Sequence, residues 1–245
     1  EKLSTGLRIT KAGDDAAGLA VSEKMRAQIR GMEQAERNVQ DGISMVQTAE
    51  GALEEAGNIA QRMRELGVQA GNDTLSSSDR AKIKTELSEL QKEMSDISKE
   101  AKFNGKELLS ADAASSTITI QAGANSEVRE IKMTDLASIA NSVSITSDLS
   151  TVGAAQAFVG KVDKALEAIN SGRSTLGTIQ NRLEYTANNL TTSTENLTAA
   201  ESRIRDVDVA KEMVTLSKLN ILNQASQAMV SQAKQQPESV SQLLR

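Results

Sequence analysis

Apolar positions recur every seven residues in the first part of the chain. One column is mostly bulky and consists of Met25, Met32, Val39, Val46, Leu53 and Ala60. A second column, three positions further on in each repeat, is mostly small and consists of Ala35, Gly42, Ala49, Ala56, Met63 and Ala70. A bulky column beside a small one is typical of a coiled-coil seam whose partner can approach closely. The pattern predicts a helix over about residues 14–71, with Asp14 and Asp15 at its start.

A second apolar pattern follows the polar segment 71–78. Its members are spaced alternately by four and three residues, which is an uninterrupted heptad seam. They are Ile83, Leu87, Leu90, Met94, Ile97 and Ala101. The pattern predicts a helix over about residues 79–102, with Asp79 in its first turn and Phe103 to Gly105 after its end. Because the connection is short, this helix should fold back antiparallel on the first.

The middle of the chain changes from a helical period to a period of two. Residues 117–121 alternate and are rich in β-branched side chains, residues 122–125 resemble a turn, and residues 127–133 form a less regular second strand. This predicts a β-hairpin over about residues 116–133. Residues 134–150 are rich in Ser, Thr, Ala and Asn, and we expect a surface connection with little packing of its own.

The last part of the chain carries the longest repeat. Seven apolar residues follow one another at intervals of seven: Val162, Ile169, Leu176, Leu183, Leu190, Leu197 and Ile204. They predict a third long helix, over about residues 151–204. A further amphipathic stretch, which needs a partner for its apolar face, carries Met213, Leu216, Leu219, Leu222, Met229, Leu243 and Leu244. The predicted fold is mostly α, an elongated antiparallel coiled-coil helical bundle with a small β-hairpin region.

The composition then excludes most classes of catalytic and metal-binding site. The 245 residues include no histidine and no cysteine. This composition excludes catalytic triads that use histidine, thiol nucleophiles, and metal sites with imidazole or thiolate ligands. A net charge of −5, with two Phe, one Tyr and no Trp, argues against nucleic-acid binding. Asp206 and Asp208 lack the further ligands of a calcium loop, and Gly105-Lys106 lacks the earlier glycine of a phosphate loop. We expect no enzyme activity, cofactor or metal, and no membrane insertion, because no apolar run is long enough.

The segment from Gln61 to Gln69 allows two interpretations. It is either a polar helix face that frays early at Gly67, or an interaction surface. Four apolar residues outside the seam columns favour the second interpretation, because they need cover that self-association would supply. They are Ile29, Ile43, Ile59 and Leu66.

Several segments, in collinear order, closely resemble bacterial flagellin. They are residues 3–9 (LSTGLRI), 14–20 (DDAAGLA), 61–69 (QRMRELGVQ), 103–105 (FNG) and 201–208 (ESRIRDVD), with the terminal Leu-Leu-Arg. The resemblance implies a self-assembling subunit of the extracellular flagellar filament, exported by the flagellar secretion apparatus for swimming motility. In that family the two ends of the chain pair as a coiled-coil inner tube, called D0, inside a layer called D1.

On that resemblance residues 1–13 are a spoke loop, 14–204 the D1 rod domain and 205–245 the C-terminal D0 helix. Residues 134–150 leave no room for outer inserted domains, so we expect a minimal flagellin. The family's helix before Leu3 is missing from the sequence. A hook-filament junction protein remains the alternative within the structural class. A flagellin with an inserted metalloprotease is disfavoured, because the chain has no histidine.

The resemblance also implies partners. Besides other copies of the chain, these are hook-associated and cap proteins, the flagellin export chaperone and the host Toll-like receptor 5. The positions that match the receptor contact surface are Arg62, Glu65, Leu66 and Glu86. Because the same positions pack between subunits in the family, we expect the receptor to recognise monomers and not filaments. The chaperone would bind the apolar face between Met213 and Leu244.

Overall fold

The computed structural model describes residues 2–145, 149 and 151–243, with side chains described as far as residue 234. The helices are α1 (Lys2–Thr5), α2 (Ala16–Ala70), α3 (Ser77–Glu100), α4 (Ala111–Ser115), α5 (Leu136–Ser142), α6 (Val152–Arg205) and α7 (Val209–Leu243). The strands are β1 (Lys102–Phe103), β2 (Lys106–Glu107), β3 (Ile118–Gln121) and β4 (Val128–Ile131). The prediction of a mostly α chain with long helices is confirmed.

The chain divides into two compact units. The first unit consists of Glu1–Ile29 and Glu195–Arg245, and the second consists of Arg30–Thr194. The predicted domains 1–13, 14–204 and 205–245 were assigned from the family resemblance and stay a prediction.

Side-chain caps set the starts of the long helices. The Asp15 carboxylate accepts a hydrogen bond from the Gly18 backbone N–H at 2.9 Å, so α2 begins after Asp15 and not at Asp14. Ser76 and Asp79 form a capping box, which starts α3 two residues before the predicted position. These caps satisfy backbone N–H groups that have no partner inside the helix.

In the second unit, α2 and α6 lie antiparallel. Thr191 Oγ1 donates to Glu36 Oε1 at 3.1 Å, Arg173 lies within 3.9 Å of Glu50, and Arg64 Nε donates to Asp163 Oδ1 at 2.6 Å. As the residue number rises along α2, the number of its partner on α6 falls, so the two helices run in opposite directions.

An ion pair between α2 and α3 agrees with the prediction that α3 folds back antiparallel on α2. Arg62 on α2 pairs with Glu86 on α3 across the connection that ends at Ser76. The two residues are equally far from the middle of that connection, as in an antiparallel helix hairpin.

The predicted β-hairpin forms from β3 and β4, over shorter strands than expected. Ile118 pairs with Ile131, and Gln121 pairs with Val128. The hairpin lies against small residues of α2. A Cβ on Gly42 would stand 2.1 Å from Ile120 Cδ1, and a Cβ on Gly31 would stand 2.9 Å from the Cβ of Ala124. Gly42, a member of the small column, and Gly31, which lies outside it, therefore make room for this hairpin.

The segment 134–150 packs against other parts of the chain, so the prediction of a surface connection with little packing of its own is wrong. It contains α5, which packs against α3 and buries Leu136 and Ala140. Val143 and Leu149 are buried as well, whereas residues 146–148 and 150 lie outside the described residues. The apolar spacing of four and three from Leu136 to Val143 is helical, but the polar residues between them obscure it. The short β1–β2 hairpin and α4 were also not predicted.

In the first unit, the segment at residues 6–8 pairs with the end of α6. Arg8 N–H donates to the Arg205 carbonyl at 2.6 Å, and Val207 N–H donates to the Gly6 carbonyl at 3.0 Å. The predicted loop over residues 1–13 thus contains α1 and an antiparallel bridge between Leu7 and Asp206. The pairing satisfies backbone groups that a loop would leave to water.

Candidate assembly surfaces

The seam residues of the second unit form its core. Those that are buried are Met32, Val39, Val46, Leu53, Ile83, Leu87, Met94, Val162, Ile169, Leu176, Leu183 and Leu190. Leu90 and Ile97 are half-buried. In the first unit Met25, Leu197 and Ile204 are also half-buried. The buried seam is occupied within the chain and offers no surface to another copy.

Two of the four apolar residues outside the seam are covered within the chain. Ile43 and Leu66 are buried, whereas Ile29 and Ile59 are only half-buried. The expectation that self-association covers these residues is therefore wrong for Ile43 and Leu66, and it stays a prediction for Ile29 and Ile59.

The segment Gln61–Gln69 presents a cluster of charges on its exposed side. Arg62 donates from Nη2 to Glu86 Oε1 at 2.8 Å and from Nη1 to Glu65 Oε2 at 3.2 Å. All three side chains are about half exposed or more. The hydrogen bond to Glu86, followed by that to Glu65, raises the pKa of Arg62 above its ordinary value. Arg62 therefore remains a cation, and its Nε, Nη1 and Nη2 atoms each donate to one of these two carboxylates.

Leu66 does not belong to this exposed surface. It is only 2% exposed, so a partner docked on the folded chain would touch Arg62, Glu65 and Glu86 instead. The next residue, Gly67, does not end the helix, because α2 continues to Ala70. A Cβ at Gly67 would stand 2.9 Å from Val159 Cγ2 and 3.1 Å from Phe158 Cδ1. Gly67 therefore admits these two side chains of α6, a role that its position between apolar residues could have suggested.

Helix α7 is the largest exposed apolar feature of the described chain. Met213, Leu219 and Met229 are 51%, 57% and 71% exposed, and most other large apolar residues of α7 are exposed too. They do not form the single face that was predicted: at about 100° per residue, Met213 and Leu222 lie on opposite sides of the helix. A helix that is apolar all round is normally enclosed on all sides. The Leu243 side chain and Leu244 lie outside the described residues.

Asp206 and Asp208, considered above as metal ligands, have structural partners. Asp206 accepts a hydrogen bond from the Ser202 hydroxyl, and Asp208 Oδ1 accepts one from the Lys211 backbone N–H at 3.2 Å, at the start of α7. Among the described residues there is no group of three or more acidic, His or Cys side chains that could hold a metal ion. None of the helices described is long and apolar enough to cross a membrane.

These features define a helical structural protein, with long antiparallel helices and an exposed apolar C-terminal helix. The family model for the bacterial flagellin N-terminal helical region matches residues 1–114, and the model for the C-terminal helical region matches residues 159–244. The chain therefore belongs to the bacterial flagellin family.

Individual relatives agree with the family models. The chain is 54% identical to a flagellin of Halalkalibacterium halodurans, covering 100% of this chain and 90% of that protein. It is 46% identical to the flagellar filament 33 kDa core protein of Treponema phagedenis, covering 100% of this chain and 91% of that protein. The protein is thus a structural, self-polymerising subunit of the extracellular flagellar filament, not an enzyme.

Two solved structures share its fold. The crystal structure of Bacillus cereus flagellin is 32% identical, with a TM-score of 0.57 over 67% of this chain and 94% of that chain. A putative flagellar hook-associated protein from Vibrio parahaemolyticus gives a TM-score of 0.66 over 79% of this chain and 100% of that chain. At 12% identity, this second likeness concerns the fold alone.

Proposed function

We propose that α7 is the element through which subunits polymerise, and that assembly encloses it as a D0-type coiled coil formed by terminal segments. The exposure of apolar side chains all round α7 is the observation that carries this proposal. Each large apolar side chain removed from water contributes roughly 1.5–3 kcal/mol. Exposed leucines at Leu216, Leu219 and Leu222 therefore supply a substantial driving force once neighbouring copies surround them.

Sedimentation and negative-stain microscopy of α7 variants test this proposal. Leu219→Glu places a charge in an enclosed apolar layer and should abolish pelletable filaments. Leu219→Met is the matched control, because it changes the same position while keeping an apolar side chain of similar volume. Both variants should keep the helical circular dichroism of the unpolymerised chain. Normal filaments from Leu219→Glu would overturn the proposal.

We also infer that the monomer is recognised by Toll-like receptor 5 through Arg62, Glu65 and Glu86. The support is that this ion-paired cluster is exposed and that Arg62 lies within 3.2 Å of the carboxylates of both Glu65 and Glu86. A receptor that binds there would be excluded when neighbouring subunits cover the same surface. Filaments should therefore not activate the receptor.

Reporter cells that express the receptor test this inference. Arg62→Ala should reduce the potency of the monomer by at least about fivefold, since truncation of a central arginine contact commonly costs more than about 1 kcal/mol. Arg64→Ala is the matched control, because Arg64 lies on the same helix and pairs with Asp163 outside the cluster. Equal potency of the two variants would contradict the proposed contact.

The remaining proposed partners are the flagellin export chaperone on α7 before export, and the hook-associated and cap proteins at the two ends of the filament. The alternative function, a hook-filament junction protein, predicts a different phenotype. In a bacterium that lacks its own flagellin, a filament subunit restores long filaments and swimming, whereas a junction protein restores neither.

A further inference from the structure

The methionines of this chain fall into two groups by exposure. Five of the eight are buried: Met32, Met45, Met63, Met94 and Met133. Met25 is half-buried. The two that are exposed, Met213 and Met229, both lie on α7. Solvent-borne oxidants therefore reach the thioethers of α7 before those of the rest of the chain.

Other easily oxidised side chains are scarce. The sequence has no cysteine, no tryptophan and no histidine, and its single tyrosine, Tyr185, is less readily oxidised by peroxide than a thioether. The exposed methionines are therefore the expected first targets of a mild two-electron oxidant.

We propose that Met213 and Met229 are oxidation sites of the unassembled subunit, that a hydroperoxide is the oxidant, and that their sulfoxides block polymerisation. The inference rests on the proposed role of α7 in assembly. Because assembly would enclose α7, the same methionines are protected once the filament has formed. Sensitivity to oxidant is then a property of the monomer alone.

The chemical step needs only hydrogen peroxide. The sulfur lone pair attacks one peroxide oxygen, the S–O bond forms and the O–O bond breaks. The departing hydroxide takes the proton from the transferred oxygen and leaves as water. The sulfur loses two electrons and the peroxide gains them. The product replaces a flexible apolar side chain by a polar one, which lacks a hydrogen-bond partner in an apolar enclosure.

The test treats monomers with hydrogen peroxide, maps oxidation by peptide mass spectrometry and then induces polymerisation. The peptides that carry Met213 and Met229 should each gain one oxygen before the others, and the pelletable fraction should be lost in parallel. Methionine sulfoxide reductases should restore polymerisation, because the sulfoxide is reversible. Filaments treated at the same dose should gain no oxygen at these two positions.

Leucine variants separate the contributions. The double variant Met213→Leu, Met229→Leu should polymerise after peroxide treatment, since Leu keeps the volume and removes the thioether. Met25→Leu is the matched control and should stay as sensitive as the unaltered chain. Preferential oxidation of buried methionines, or normal polymerisation of the doubly oxidised chain, would overturn the proposal. If Leu219→Glu also polymerises normally, the proposed role of α7 fails; if it does not, only the oxidation inference fails.

Discussion

Helices α6 and α7 use the same apolar residue types and reach opposite outcomes. In the second unit, Leu176 and Leu183 of α6 are at most 1% exposed, whereas Leu219 and Leu222 of α7 are more than half exposed. The two helices also differ in spacing. A step of seven residues keeps apolar side chains on nearly one line, while a step of three turns them by about 60° each time. The comparison teaches that apolar content alone does not place a helix in the core of its own chain.

The largest effect on stability is expected from placing charges among the buried leucines of α6. Replacing both Leu183 and Leu190 by Asp would bury two unpaired carboxylates, at about 3 kcal/mol or more for each. The helical circular dichroism melt should disappear. Leu219→Asp with Leu222→Asp is the matched pair on α7 and should leave that melt in place. An unchanged melt for the α6 variant would contradict the assigned core.

A smaller effect on the unfolding free energy should distinguish alanine substitutions at two glycines of α6. A Cβ at Gly172 would stand 2.3 Å from Thr134 Oγ1 and 3.1 Å from Thr134 Cβ, whereas nothing lies within 4 Å of a Cβ at Gly177. Gly172→Ala should lower the unfolding free energy by about 1–3 kcal/mol through overpacking. Gly177→Ala should raise it by up to about 1 kcal/mol through helix propensity. Chemical denaturation of both variants measures the contrast, and shifts of the same sign would disprove the close approach at Thr134.

The smallest effect concerns the first unit and its pH dependence. A hydrogen bond from Arg205 Nη1 at 2.8 Å, with the charges of Arg26 and Arg205, lowers the pKa of Glu23 below its ordinary value of 4.5. The stabilisation is therefore present above pH 4.5 and is lost as the pH falls through the lowered pKa. NMR titration of the Glu23 carboxyl should show the shift.

Two variants assign the cause of that shift. Arg205→Gln should return the pKa of Glu23 most of the way to its ordinary value. Arg26→Gln should change it less, because the Arg26 contact is longer, at 3.5 Å. A larger response to Arg26→Gln would contradict the assignment. Since Glu23 is exposed to solvent, the accompanying change in stability should be small.

The elements that the sequence predicted are those governed by a regular local period. The heptads from Met32 to Leu53 and from Val162 to Leu190 define a core that the structure buries, because a fixed period places side chains on one side whatever the partner is. Helix ends shifted by about two residues, because Asp15 and Ser76 act as caps just outside the helices.

What the sequence did not predict depends on distant partners. The burial of Ile43 and Leu66 was not predicted, because neither residue belongs to the heptad columns of α2. Close contacts such as Gly172 with Thr134 likewise join residues far apart in the chain. Among the candidate contact residues, Arg62 forms ion pairs with Glu65 and Glu86, whereas Leu66 is buried, which the sequence did not predict.

The pairing of residues 6–8 with residues 205–207 has a consequence for the order of folding. The first unit joins Glu1–Ile29 to Glu195–Arg245, with the whole of Arg30–Thr194 between them in the sequence. Its contact order is therefore high, and a large loop must close before the pairing contributes any stability. A growing chain can complete the short-range β3–β4 hairpin early, but residues 6–8 can pair only after residues 205–207 have been made. Residues 6–8 thus wait without these partners while about two hundred further residues are added.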